Sequence, residues 1–182
     1  MFDCSRRAAL WLPLLAVSSA WAAEDSDNTV VLTTKHGKVT IKLRPDWAPK
    51  HVAQIKTLVK QKFYDGLTFH RVIPGFMAQT GDPTGTGSGG STLPDVPSEF
   101  NHTHFTRGIL GMARAEDPNS ANSQFFITTA DASFLDGKYT AFGEVTSGMD
   151  VVDKIKAGTQ EGNGAVTNPD KIVTMRMASS AK

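Results

Sequence analysis

Short apolar runs rich in β-branched residues, each closed off by turn residues, constrain this chain more than any other feature. TVVLTT (29–34), KVTIKL (38–43), LTFHRVI (67–73), FMAQT (76–80), GILGMAR (108–114), SQFFITT (123–129), TAFGEV (140–145) and KIVTMRM (171–177) each read as a strand. Lys35-His36-Gly37 reads as a hairpin turn between the first two. Helical spacing is confined to two stretches. From Ala48 to Lys62, Val52, Ile55 and Val59 recur at helical intervals, with Asp46 near the start and Pro49 in the first turn, where its missing N–H is harmless. The second is SGMDVVDKIKA (147–157). Many strands with two helices, not strand and helix in alternation, point to an antiparallel sheet closed into a barrel, which would leave no exposed edge.

A chain of 182 residues, 40% hydrophobic and 20% charged, suffices for one domain and is short for two. Residues 1–22 combine Arg6 and Arg7 with an apolar run from Ala8 to Val17 and end in Ala20-Trp21-Ala22. That pattern predicts a cleavable signal peptide, and the apolar run, interrupted by Pro13, is too short to span a membrane. Ser5-Arg6-Arg7 leaves the general and the twin-arginine export routes both open. A single domain over 23–182 is expected, exported to the periplasm, with AEDSDN (23–28) a polar tail.

Loss of Arg6, Arg7 and Asp3 leaves 17 basic and 17 acidic residues of the original 19 and 18. Zero net charge without a basic block argues against nucleic acid and anionic membranes as partners. The one cysteine, Cys4, departs with the signal, so packing must supply stability and no cysteine cluster can hold zinc.

Residues 81–100, GDPTGTGSGGSTLPDVPSEF, lack periodicity and are dense in Gly, Pro and Ser, so they read as a long surface loop of functional length. GTGSGG (85–90) lacks the Lys-Ser or Lys-Thr pair of a phosphate loop, and Thr86 stands where a nucleophile elbow around Ser88 needs glycine. His102 and His104 read as exposed loop residues, not as the start of a metal site. No metal and no cofactor are expected.

FHRVIPGFMAQTGDP (69–83) holds the residue that fits worst. Arg71 lies among Phe69, Val72, Ile73, Phe76 and Met77, and its guanidinium carries five donors that burial would leave costly unless they are met. Either it pairs with an acid such as Asp82 or Glu99, or it serves a ligand. FHRVIPGFM, Gln79, GILGMA, NSQFFI (122–127) and FLDGKYTAFGEV (134–145) together resemble the cyclophilin family of peptidyl-prolyl cis-trans isomerases, in order and at matching intervals from about Thr29 to Met177. With its signal peptide the chain is most similar to the periplasmic cyclophilins of Gram-negative bacteria.

The resemblance implies a mainly β fold, a closed eight-stranded antiparallel barrel capped by two α-helices, with the active site in a groove on its outer wall. It implies that Arg71 is catalytic and that Phe76, Met77, Phe126 and Leu135 line a pocket for the substrate proline. Gln79 then stands beside the arginine, Ala113 and the Arg114 backbone pair with substrate backbone, and Gln124 belongs to the groove. Phe134 stands where the family often has tryptophan and Tyr139 where it often has histidine. Strand alternation puts Met77 and Gln79 on one face and Phe76 on the other, unless Phe76 belongs to the Pro74-Gly75 turn.

The implied partners are proline-containing polypeptides, turned over by a monomer without a cofactor. Binding of cyclosporin-type macrocycles is expected to be weak, because Phe134 lacks the indole N–H donor. The alternative is a binding module or holdase that grips proline segments without accelerating rotation.

Overall fold

The structure, a computed structural model, describes residues 26–180; the expected signal peptide lies outside the described residues. Strands β1 (Thr29–Thr34) and β2 (Gly37–Leu43) form the expected hairpin. Next come helix α1 (Pro49–Lys60), β3 (Arg71–Ile73), β4 (Met77–Thr80), β5 (Ile109–Met112) and β6 (Phe125–Thr128). A 3-10 turn at Ser133–Leu135 leads to β7 (Ala141–Ser147), α2 (Met149–Val152) and β8 (Ile172–Met177).

All eight strands lie in one antiparallel sheet of order β3-β4-β6-β5-β7-β2-β1-β8. The expected closed barrel is corrected here: the ladder ends at β3 and at β8, leaving a curled sheet open along that seam. The cause is local. LTFHRVI is regular strand only over its last three residues, and isolated bridges, Thr68 to Lys171 and Arg71 to Ala165, span the gap in place of a ladder. Main-chain bonds from Gly66 and Phe69 to the carbonyls of Ile172 and Asp170, at 2.7 and 2.9 Å, complete the stitching.

Both helices bury apolar residues in the concave interior, Val52, Ile55, Leu58 and Val59 from α1 and Val151 and Val152 from α2. They stand at opposite ends of the β1–β2 hairpin. Lys56 of α1 bonds Asn28 just before β1, whereas Val151 of α2 lies against Gly37 in the turn. The second helix is shorter than its pattern predicts, because after Val152 the chain tightens to three-residue bonds, Lys154 to Val151 and Ile155 to Val152.

Asp46, expected near the start of α1, is instead held by Arg44. Glu99 from the long loop accepts the free N–H groups of Lys50 and His51 at 3.1 and 3.0 Å and the buried His51 Nδ1–H at 2.6 Å. Burial pulls the Glu99 carboxyl upward, and these bonds outweigh it and hold it below its ordinary value.

Alternation along the strands builds two cores from one sheet. Phe125 and Ile127 of β6, Leu110 and Met112 of β5 and Ala78 of β4 face the interior cluster. Phe126, Ile109 and Met77 face outward, into a second cluster with Phe105, Ala132, Leu135 and Ala141. Strands covered on both faces read as continuous apolar runs, as GILGMA and QFFI do.

Candidate functional site

The outward row that begins at Arg71 runs straight across four strands. Arg71 on β3 is the register partner of Gln79 on β4, Gln79 of Phe126 on β6, and Phe126 of Gly111 on β5. Ile73, Met77 and Thr128 form the adjacent row. Phe76 joins Met77 on the same side because it ends a turn: Pro74 and Gly75 (φ 71°) reverse the chain and the Phe76 N–H reaches Ile73 O at 3.1 Å.

A groove of about 650 Å³ opens over these rows. It is lined by Arg71, Phe76, Met77, Gln79, Ala113, Arg114, Phe126, Phe134, Leu135 and Tyr139 from the expected set. Gln124 is the exception, lying in an adjoining hollow of about 580 Å³ that shares Gln79, Gly87, Ala113 and Arg114 with the groove. Met77, Phe126 and Leu135 are buried and make an apolar floor. Phe76 and Phe134 form one wall, their rings 5.2 Å apart, with Phe134 59% exposed. Tyr139 meets Phe126 edge to face at 5.9 Å and lies under the Arg114 guanidinium at 4.8 Å. That stacking, with bonds to the carbonyls of Ala115, Glu116 and Lys138, turns the Arg114 side chain back onto its own loop.

Gly111 makes the floor possible. A Cβ there would collide with the Phe126 ring and stand 2.7 Å from Phe105, so only glycine lets these two rings stack across β5, with centroids 5.8 Å apart.

Arg71 has no acidic partner among the described residues. Its Nε donates to the Asn163 main-chain carbonyl at 2.9 Å, one terminal nitrogen to Asn163 Oδ1 at 3.0 Å and the other to Gln79 Oε1 at 3.3 Å. Burial lowers its pKa, with Tyr139 opposing, yet an arginine so placed stays a cation. Both acids named as candidate partners are committed elsewhere, Glu99 to α1 and Asp82 to its own loop. Asp82 is buried and accepts bonds from Thr84, Gly87 and Gly89. Burial pushes its carboxyl up, but these donors prevail and hold it at about 2.

An amide relay joins this loop to the arginine. Gln124 Nε2 donates to the carbonyls of Gly87 and Gly89, which turns its Oε1 toward Gln79 Nε2 at 2.9 Å. Gln79 must then present Oε1 to Arg71. Carbonyls that can only accept thereby fix the orientation of both side-chain amides.

Asn163 and His70 escaped sequence reasoning. Asn163 sits in a stretch, QEGNGA, whose turn composition says nothing of a distant arginine. His70, buried under Gly87 with burial lowering its pKa, lines the groove although strand alternation turns it from Arg71. Gly85, Thr86 and Gly87 bring the long loop to the groove's edge. His104 pairs with Asp136 at 2.7 Å, and no group of three or more metal-ligating side chains converges among the described residues.

Comparison with known proteins gives a consistent set of relatives. The family model described as cyclophilin type peptidyl-prolyl cis-trans isomerase/CLD matches residues 29–177. A probable peptidyl-prolyl cis-trans isomerase of Brucella suis is 54% identical over 182 residues, spanning 94% of this chain and 92% of that one. The peptidyl-prolyl cis-trans isomerase ppi1 of Schizosaccharomyces pombe is 43% identical over 150 residues, 79% of this chain and 95% of its own. Among solved structures, the cyclophilin AquaCyp293 of Hirschia baltica superposes with a TM-score of 0.78 at 29% identity, covering 93% of this chain and 83% of that one. A cyclophilin type isomerase of Cryptosporidium parvum, solved in the presence of the dipeptide Ala-Pro, gives 0.74 at 29% identity over 82% and 98%.

Proposed function

The chain belongs to the cyclophilin-type peptidyl-prolyl cis-trans isomerases, and from that membership we propose that its groove turns over X-Pro bonds in unfolded or flexible segments of exported proteins, with Arg71 stabilising the twisted amide. The export element of this reading rests on the pattern of residues 1–22 and places the enzyme in the periplasm.

The isomers of an X-Pro bond differ little in energy but are separated by roughly 18–20 kcal/mol, because resonance gives the C–N bond double-bond character. Twisting that bond removes the resonance and returns electron density to the proline nitrogen. A cation aimed at the nitrogen therefore stabilises the twisted state more than either planar one, and differential stabilisation of this kind is what lowers a barrier. A charge-assisted hydrogen bond contributes about 1.5–3 kcal/mol, so the apolar groove must add to it by clamping the ring and excluding water. Met77, Phe126 and Leu135 suit that task, with Phe76 and Tyr139 as walls. Ala113 and the Arg114 backbone border the edge where an extended substrate would lie, and Gln124 orients Gln79 from outside the groove.

One observation carries the reading. Three of the five guanidinium N–H groups are taken by neutral carbonyl oxygens, which leaves the charge uncancelled and two donors without a partner among the described residues, at the rim of an apolar hollow. Exchange spectroscopy on an Ala-Pro peptide tests it: Arg71→Ala should lower kcat/KM by about ten- to a hundredfold. Unchanged turnover in that variant would refute the role given to Arg71, and a wild type no faster than spontaneous exchange would restore the binding-only reading. Cyclosporin-type macrocycles should bind weakly to the chain as a monomer, since Phe134 offers no indole donor.

A further inference from the structure

Asn163 meets the Arg71 guanidinium with both of its carbonyl oxygens, the main-chain oxygen at Nε and Oδ1 at a terminal nitrogen. One residue can present both because its backbone is left-handed, with φ 51°, a conformation that asparagine, aspartate and glycine adopt readily. The segment that carries it is fastened to β3 beside the arginine. Val72 N–H donates to Gly164 O at 2.8 Å and Gly158 N–H donates to Val72 O at 2.9 Å, so the strand grips the loop at both ends. Inside the loop, Asn163 N–H reaches Gln160 O at 3.0 Å and Gly164 N–H reaches Thr159 O at 2.8 Å.

Opposite Asn163, Gln79 takes the remaining terminal nitrogen. The fork is thus held from both sides, and rotation about its Cζ–Nε bond would break a bond on each. Amide oxygens are the acceptors throughout. A carboxylate in the same place would fix the fork equally well while cancelling the charge on which stabilisation of the twisted amide depends.

Building on the reading of Arg71 as the catalytic cation, we propose that Asn163 is its positioning residue, immobilising the guanidinium against Gln79 without neutralising it. The two conservative substitutions separate these functions. Asn163→Gly keeps the left-handed backbone and the main-chain acceptor and deletes only Oδ1. Asn163→Asp keeps size, conformation and both acceptors and adds a negative charge.

The experiment combines peptide exchange kinetics with side-chain NMR of Arg71 on the whole chain, after thermal unfolding has shown each variant folded. Asn163→Gly should lower kcat about three- to tenfold, with KM within about twofold, and speed rotation of the guanidinium. Asn163→Asp should lower kcat at least as far while the fork stays as rigid as in the wild type. A kcat for Asn163→Gly within about 1.5-fold of wild type, or a lowered kcat with unchanged guanidinium rotation, overturns the assignment, as does full activity of Asn163→Asp. Arg71→Ala distinguishes the layers. If it is fully active, the catalytic reading of Arg71 fails; if it is impaired while Asn163→Gly is silent, only the positioning role fails.

Discussion

Phe126 shows how much a single residue's surroundings decide. Its ring is part of the groove floor only because Gly111, its register partner, leaves the space it fills. Gly111→Ala puts a methyl where the ring now lies, and both the Phe126 and the Phe105 rings would have to shift. Overpacking of that kind costs about 1–3 kcal/mol. The variant should therefore unfold at lower denaturant and raise KM for a proline peptide more than it lowers kcat, because Arg71 and its partners are untouched. A variant with wild-type KM would show that the floor does not need Phe126 in its present place. At this scale sequence flagged Arg71 and, of its two hydrogen-bonding partners, Gln79 but not Asn163. A charged residue inside an apolar run is conspicuous, and alternation correctly pairs Met77 with Gln79. The partnership with Asn163 spans 92 positions and depends on a left-handed backbone, so no periodicity announces it.

Among the elements, α1 illustrates a boundary set from far away. Its apolar spacing and Pro49 were readable, but the residue that completes its N-terminus lies 49 positions on, in a loop whose composition promised only irregularity. Glu99→Ala would free two helix N–H groups and strand the fully buried His51 ring without its Nδ1 acceptor. A lost cap and a buried donor left unmet together predict a loss of about 2–3 kcal/mol, measured by urea denaturation. Stability within about 0.5 kcal/mol of wild type would mean that water serves the helix end as well as Glu99 does. The strands were legible in number and order of appearance because β-branched and aromatic runs announce them, but not in length. GILGMAR keeps four strand residues and LTFHRVI three, since tertiary bonds decide where a ladder stops. Both faces of β5 and β6 being buried also explains why those runs showed no alternation to read.

On the scale of the whole molecule, the weak line is the seam between β3 and β8, and one carboxylate gathers what holds it. Asp170 accepts from Lys35 at 2.6 Å, His36 at 2.8 Å and the Lys156 main chain at 3.0 Å, while its own carbonyl takes the Phe69 N–H at 2.9 Å. It thereby ties the β1–β2 turn and the segment after α2 to the residues that cross the gap. Burial raises its pKa, but these donors prevail and hold it at about 2, the same level as Asp82. Both values lie below the roughly 3.9 of an unfolded aspartate, so the unfolded chain binds protons first as pH falls. The stability each supplies is complete above about pH 5 and is lost on acidification through the window from about 4 to 2. Unfolding free energy should first decline as pH falls below roughly 6.5, where the unfolded chain protonates His51 and His70 ahead of the fold because burial lowers both, and then fall further below about pH 5, each of the two aspartates accounting for on the order of 2 kcal/mol. Asp170→Asn removes one of them, so it should lower stability at neutral pH, flatten the acid limb and speed amide hydrogen exchange at Phe69 and Lys156 before the rest of the sheet. If that variant keeps the wild-type acid slope, the seam is held by its main-chain bridges and not by the charge on Asp170.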